Sequence, residues 1–78
     1  MKTIKVLGPG CAKCQKLFAN VEAAVKELGI DCDVQKITDI GAITSYGVMM
    51  TPSLVVDEEV RSSGKALSVN ELKAILEQ

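Results

Sequence analysis

Cys11 and Cys14 are separated by Ala12 and Lys13 in the run Gly8-Pro9-Gly10-Cys11-Ala12-Lys13-Cys14. Two thiols at this spacing suit two chemistries: a dithiol that cycles with its disulfide, or one half of a zinc or soft-metal site. Position along the chain separates them. The run falls where a short apolar strand gives way to a long helix. The first thiol then faces the unpaired N–H groups and the positive end of the helix dipole, both of which favour thiolate. The second thiol, one turn on, lies within reach of the first sulfur. This placement predicts thiol–disulfide exchange.

A structural bridge is the poorer use of such a pair. Chain entropy gives about 1.9 kcal/mol for closing a four-residue loop, against about 3 for a fifteen-residue one. The chain holds three cysteines, an odd number that argues against a secreted disulfide scaffold and for a reducing, cytoplasmic compartment. Cys32, between Ile30 and Val34, takes the apolar phase of its segment and reads as a core cysteine.

At 78 residues the chain reads as a single domain over 1–78, near the lower size limit for an unaided core. Its 47% hydrophobic content is enough to fold, and its net charge of −1 argues against a nucleic-acid or anionic-membrane surface. With 3% aromatic residues the core must be aliphatic, and any binding surface lacks the usual aromatic anchors, so a monomer is expected. No apolar run approaches the about 20 residues of a membrane-spanning helix, and the first residues lack the apolar stretch of a signal peptide. The chain has no His, which removes Cys–His dyads, Ser-His-Asp triads and His-containing zinc sites. It has no glycine-rich phosphate loop either, and no cofactor is expected.

The elements that must position the thiols follow from apolar spacing. Thr3-Ile4-Lys5-Val6-Leu7 is a strand stopped by Gly-Pro-Gly. From Cys14, the residues Leu17, Phe18, Val21, Ala24, Val25 and Leu28 mark one face of a helix closed by Gly29. Ile30, Cys32 and Val34 alternate with Asp31, Asp33 and Gln35 as a half-buried strand. Thr38 and Asp39 open a short helix through Ile40, Ile43 and Tyr46, ended by Gly47. Ser53–Asp57 and Val60–Ser62 form a hairpin turning at Asp57-Glu58-Glu59, a turn without the glycine of a favoured two-residue loop. Ser63-Gly64-Lys65 is a loop, and Ser68-Val69-Asn70-Glu71 is a capping box for a last helix with core residues Val69, Leu72, Ile75 and Leu76. The resulting α/β order, β-α-β-α-β-β-α, predicts a four-stranded mixed sheet with helices on both faces.

Strand, CxxC and helix at the front, with Thr51-Pro52 just before a later strand, resemble the thioredoxin fold. At closer range Gly-x-Gly-Cys11-x-x-Cys14, Tyr46-Gly47-Val48-Met49-x-Thr51-Pro52 and Ser63-Gly64-Lys65 resemble the small archaeal-type thioredoxin-like family of redox-active disulfide proteins, over essentially the whole chain. The resemblance implies a thiol–disulfide oxidoreductase in which Cys11 is the exposed attacking thiolate and Cys14 the resolving cysteine. It implies a cis Pro52 lying against the disulfide, and a Thr51 backbone that pairs with an extended substrate segment. The implied partners are a disulfide-containing protein substrate and an electron-donating reductase or small thiol. Two features depart from larger thioredoxins: no Trp precedes Cys11 and Ala12-Lys13 stands in place of Gly-Pro. A third is the lack of an acidic residue before Cys11, where larger thioredoxins keep an Asp that helps deprotonate the resolving thiol; Lys5 is a candidate for proton handling there. Lys13 reads either as a solvated helix-start residue or, since its charge opposes the helix dipole, as one compensated by an interaction that stabilises a neighbouring thiolate. Met49 and Met50 precede Thr51-Pro52 as core filler or as a substrate lip.

The alternative is a soft-metal or metalloid carrier using the same dithiol. Ferredoxin-like metal carriers also set CxxC between a first strand and helix, but they end on a strand, whereas this chain is expected to end on a capped helix. Glutathione is a third possible reactant, although no basic clamp for its carboxylates is evident.

Overall fold

In the computed structural model, which describes residues 2–10, 12–48 and 50–77, the chain runs as β1 (Lys2–Leu7), α1 (Ala12–Leu28), β2 (Cys32–Ile37), α2 (Ile40–Ser45), β3 (Ser53–Val56), β4 (Glu59–Ser63) and α3 (Val69–Leu76). The strands form one sheet in the order β2-β1-β3-β4. β1 pairs in parallel with β2 and antiparallel with β3, and β3 pairs antiparallel with β4. This is the expected mixed sheet.

Period-two alternation assigns the two faces of that sheet. Ile4 and Val6 of β1, with Leu54 and Val56 of β3, pack beneath Leu17, Val21 and Ala24 of α1 and Leu72 and Leu76 of α3. Leu7 and Val55, pointing the other way, meet Ile43 of α2 with Ile37, Tyr46 and Val48 around them. The first face carries most of the buried aliphatic area, and so most of the hydrophobic stabilisation. α1 ends at Gly29, whose φ of +65° suits glycine, with its N–H bonded to the Val25 and Lys26 carbonyls.

Three local expectations need correction. β2 begins at Cys32 and runs to Ile37; pairing with the whole of β1 extends it, and Ile30 packs on the core from outside the strand. In α2 only Ile43 is buried, and Ile40 is 62% exposed. The helix is six residues long and meets the sheet through Ile43 and the Tyr46–Val48 segment that follows, so its first residue lies beyond the contact. The hairpin turn consists of Asp57 and Glu58 alone, with Glu59 already in β4 opposite Val56. Both turn residues have positive φ, +50° and +67°, as the twist-matched two-residue turn requires. Contacts with β1 hold them there: the Asp57 N–H donates to the Thr3 carbonyl at 2.8 Å and the Thr3 N–H donates to Asp57 Oδ1 at 3.0 Å.

The capping box at α3 is present as read. Ser68 Oγ accepts from the Glu71 N–H at 3.2 Å, and Glu71 Oε1 accepts from the Ser68 N–H at 3.1 Å. The bond from the Ser68 backbone, followed by that with its side chain, holds the Glu71 carboxyl below its ordinary pKa. A lowered carboxylate pKa stabilises the fold fully above the ordinary range, and this contribution is lost as the pH falls through the folded-state value. Ser68→Ala should cost about 1 kcal/mol at neutral pH, seen as a melting temperature roughly 4–8 °C lower for a domain of this size. An unchanged melting curve would show that α3 is held by its buried leucines alone.

Candidate active site

β1 ends at Leu7, and the next residue, Gly8, is buried and donates its N–H to the Ile37 carbonyl at 2.9 Å. Pro9 is exposed, and Gly10, with φ of +99°, turns the chain into α1. Gln15 Nε2 donates back to the Gly10 carbonyl at 3.2 Å, tying the turn to the helix it precedes. Cys11 lies outside the described residues. Cys14, in the first turn of α1, is buried, and Lys13 beside it is exposed.

The second half of the site comes from the loop before β3. The Thr51-Pro52 peptide bond is cis. Pro52 is buried and Thr51 exposed. Among the described residues, Ser53 Oγ donates to the Met50 carbonyl and the Gly64 N–H donates to the Pro52 carbonyl at 2.8 Å, and both hold this loop. Met50 is 60% exposed and lies over Gly64; Met49 lies outside the described residues. Cys14 and Thr51, 37 positions apart in sequence, both border the space above the Gly8 Cα. The structure therefore gathers Cys14, Thr51 and Pro52 around the end of β1, with Lys13 exposed in the first turn of α1.

Lys5 is engaged elsewhere. Its Nζ donates to Glu58 Oε1 at 2.8 Å and to the Tyr46 hydroxyl at 2.6 Å. Bonding to Glu58 first, then to Tyr46, raises its pKa further, so it stays a cation. The network ties β1, the C-terminal end of α2 and the β3–β4 turn together. Tyr46 also packs on the α2-side cluster, and neither its hydroxyl nor Glu58 carries a sequence signal for this role. Sequence separations of 41 and 53 leave no local signal of the pairings.

Cys32 opens β2 opposite Lys2 and is half-buried against the main core, as a core cysteine should be. Burial pushes its thiol pKa up. Among the described residues no three His, Cys, Asp or Glu side chains gather as a metal site, and no helix is long and apolar enough to cross a membrane.

A parallel β-α-β start carrying the CxxC segment, with a cis proline on the antiparallel neighbour of its first strand, defines a redox protein of thioredoxin-like fold. Comparison with known proteins makes the assignment specific. A family model described as a thioredoxin domain matches residues 2–77. The chain is 43% identical over 76 residues to a thioredoxin of Methanothermobacter thermautotrophicus, covering 97% of this chain and 99% of that protein. It is 41% identical over 73 residues to a thioredoxin of Methanocaldococcus jannaschii, covering 94% and 84% respectively. The chain belongs to the thioredoxin family of thiol–disulfide oxidoreductases.

A thiol whose pKa is raised has less thiolate at a given pH, and the thiolate is the reactive form. Cys32 should therefore react with iodoacetamide more slowly at pH 8 in the native protein than in denaturant, with its native rate rising at more alkaline pH. Mass mapping of the labelled peptides measures this. Equal rates in the two states would show that β2 gives no protection.

Proposed function

We propose that this protein reduces protein disulfides with Cys11 as attacking thiolate and Cys14 as resolving thiol. The observation that carries the reading is the burial of Cys14 in the first turn of α1, against Gly8 and beside the exposed Thr51 that precedes the cis proline. A buried second thiol within one turn of the first suits intramolecular resolution better than capture of an outside partner.

In the reaction, Cys11 thiolate attacks one sulfur of the substrate disulfide, and the other substrate sulfur leaves as a thiolate that takes up a proton. Cys14 then loses its proton, and its sulfur bonds to that of Cys11. The second substrate thiolate departs and is protonated in turn. Two electrons have passed to the substrate, and the protein carries a Cys11–Cys14 disulfide. Thr51 offers backbone groups to an extended segment of the substrate, and Pro52 shapes the surface beside the dithiol. Lys13 and the start of α1 stabilise the Cys11 thiolate. An electron-donating reductase or a small thiol restores the dithiol. The protein works as a monomeric single domain in a reducing, cytoplasmic setting. The metal-carrier alternative gains no support from the two thioredoxin relatives.

Insulin reduction tests the activity, and a Cys14→Ser variant tests the roles. That variant should accumulate a mixed disulfide through Cys11 and lose multiple turnover. Alkylation of the reduced protein should occur first at Cys11, and Lys13→Gln should move the pH midpoint of that alkylation upward. Trapping through Cys32, or full turnover without Cys14, would overturn the assignment.

A further inference from the structure

Gly8 is not a glycine for the sake of its backbone. Its φ lies outside the left-handed region that Gly10 and Gly64 occupy, so an alanine would fit the main chain. A side chain there has no space. A Cβ on Gly8 would overlap Cys14 Sγ, stand 3.1 Å from Cys14 Cβ and lie 3.8 Å from Thr51 Cβ. The sulfur of Cys14 thus rests in the gap that the missing side chain leaves, a gap that Thr51 also borders.

We propose that Gly8 is a positioning residue for the resolving step: it makes the seat from which Cys14 Sγ attacks the mixed disulfide. The proposal rests on the dithiol mechanism above. In that mechanism the substrate lies along Thr51, so the sulfur to be released is on the Thr51 side of Cys14. The backbones on both sides are anchored, so they can give little more than the few tenths of an ångström that the 3.1 Å contact with Cys14 Cβ asks. Gly8 is tied to the Ile37 carbonyl, and α1 is anchored through Leu17 and Val21 in the core. The sulfur must move instead. Cys14 has one side-chain torsion with three staggered wells, one of them rare in helices, so the sulfur leaves its seat by a whole rotamer step. A displacement of this size is well beyond the roughly 1 Å misplacement that costs about 100-fold in a reaction between held groups. The chemistry is unchanged: Cys14 gives up its proton, its sulfur bonds Cys11, and the substrate leaves as a thiolate that is protonated. Only the approach of the attacking sulfur is lost.

Gly8→Ala should therefore split the two half-reactions. Alkylation of Cys11 and first attack on insulin should keep the parental rate, while release of reduced product slows by at least about tenfold and mixed disulfide accumulates, as quenched-flow mass spectrometry would show. Release at the parental rate in a folded Gly8→Ala protein would overturn the proposal, as would equal slowing of attack and release, which marks general damage. A melting cycle keeps the contact testable even if Gly8→Ala folds poorly. The loss of melting temperature caused by Gly8→Ala should largely disappear in a Cys14→Ala background, where the obstructing sulfur is gone. The same loss in both backgrounds would overturn the seat. Absence of trapping by Cys14→Ser alone would instead overturn the dithiol mechanism and, with it, the catalytic meaning of the contact. Trapping by Cys14→Ser together with parental release in Gly8→Ala would overturn the positioning role alone.

Discussion

The register of β1 against its two neighbours is the constraint on which the site depends. Leu7 pairs with Ile37 of β2 on one side and with Ser53 of β3 on the other. One residue further on, Gly8 bonds the Ile37 carbonyl, and the antiparallel run of β3 brings Pro52 and Thr51 back past the same point. The cysteine-bearing turn and the cis-proline loop are neighbours because of this pairing. A slip of one residue would exchange the faces of β1, sending Ile4 and Val6 away from α1 and α3. The same hydrophobic burial that stabilises the main core therefore sets the approach of the two loops of the candidate site.

The two faces of the sheet are held by different means. Under α1 and α3 the packing is aliphatic and continuous. On the α2 side the buried cluster is small, and polar contacts take over toward the hairpin: Lys5 with Glu58 and Tyr46, and Thr3 with Asp57. These contacts help explain how Asp57 and Glu58 keep positive φ without glycine. The left-handed region costs a residue with a side chain about 1–2 kcal/mol, and the two Thr3–Asp57 hydrogen bonds oppose that cost at the turn. At β4, Arg61 is the extra residue where Leu54 faces Ser62 and Val55 faces Val60, a bulge that makes this edge a poorer template for pairing with another chain.

Lys5 stands in the strand that leads to the dithiol, where the sequence makes it no more than a candidate for proton handling. Alternation places it on the α2 face with Leu7, where Glu58 and Tyr46 keep it charged. A cation held by a carboxylate is a poor proton donor near neutral pH. Its contribution is to join β1, α2 and the hairpin turn, and Tyr46 leads directly into the loop that carries Thr51 and Pro52.

The amino-acid order alone determined the elements and their faces, because those follow from local periods: two in β1, 3.6 in α1 and α3, with Gly29, Asp39, Gly47 and Ser68 as stops and caps. It also determined the thioredoxin-like assignment, since the CxxC segment, Thr51-Pro52 and the element order can all be read along the chain. What only the tertiary structure decided are the contacts between residues far apart in sequence: the Lys5–Glu58–Tyr46 network, the start of β2 at Cys32, the left-handed turn at Asp57-Glu58, and the meeting of Cys14 and Thr51 over Gly8. No short-range pattern encodes these, because each depends on strand pairing bringing distant backbones to one place. For Gly8 the physical reason is plain: the side chain it lacks matters only once a sulfur from the following helix needs that space.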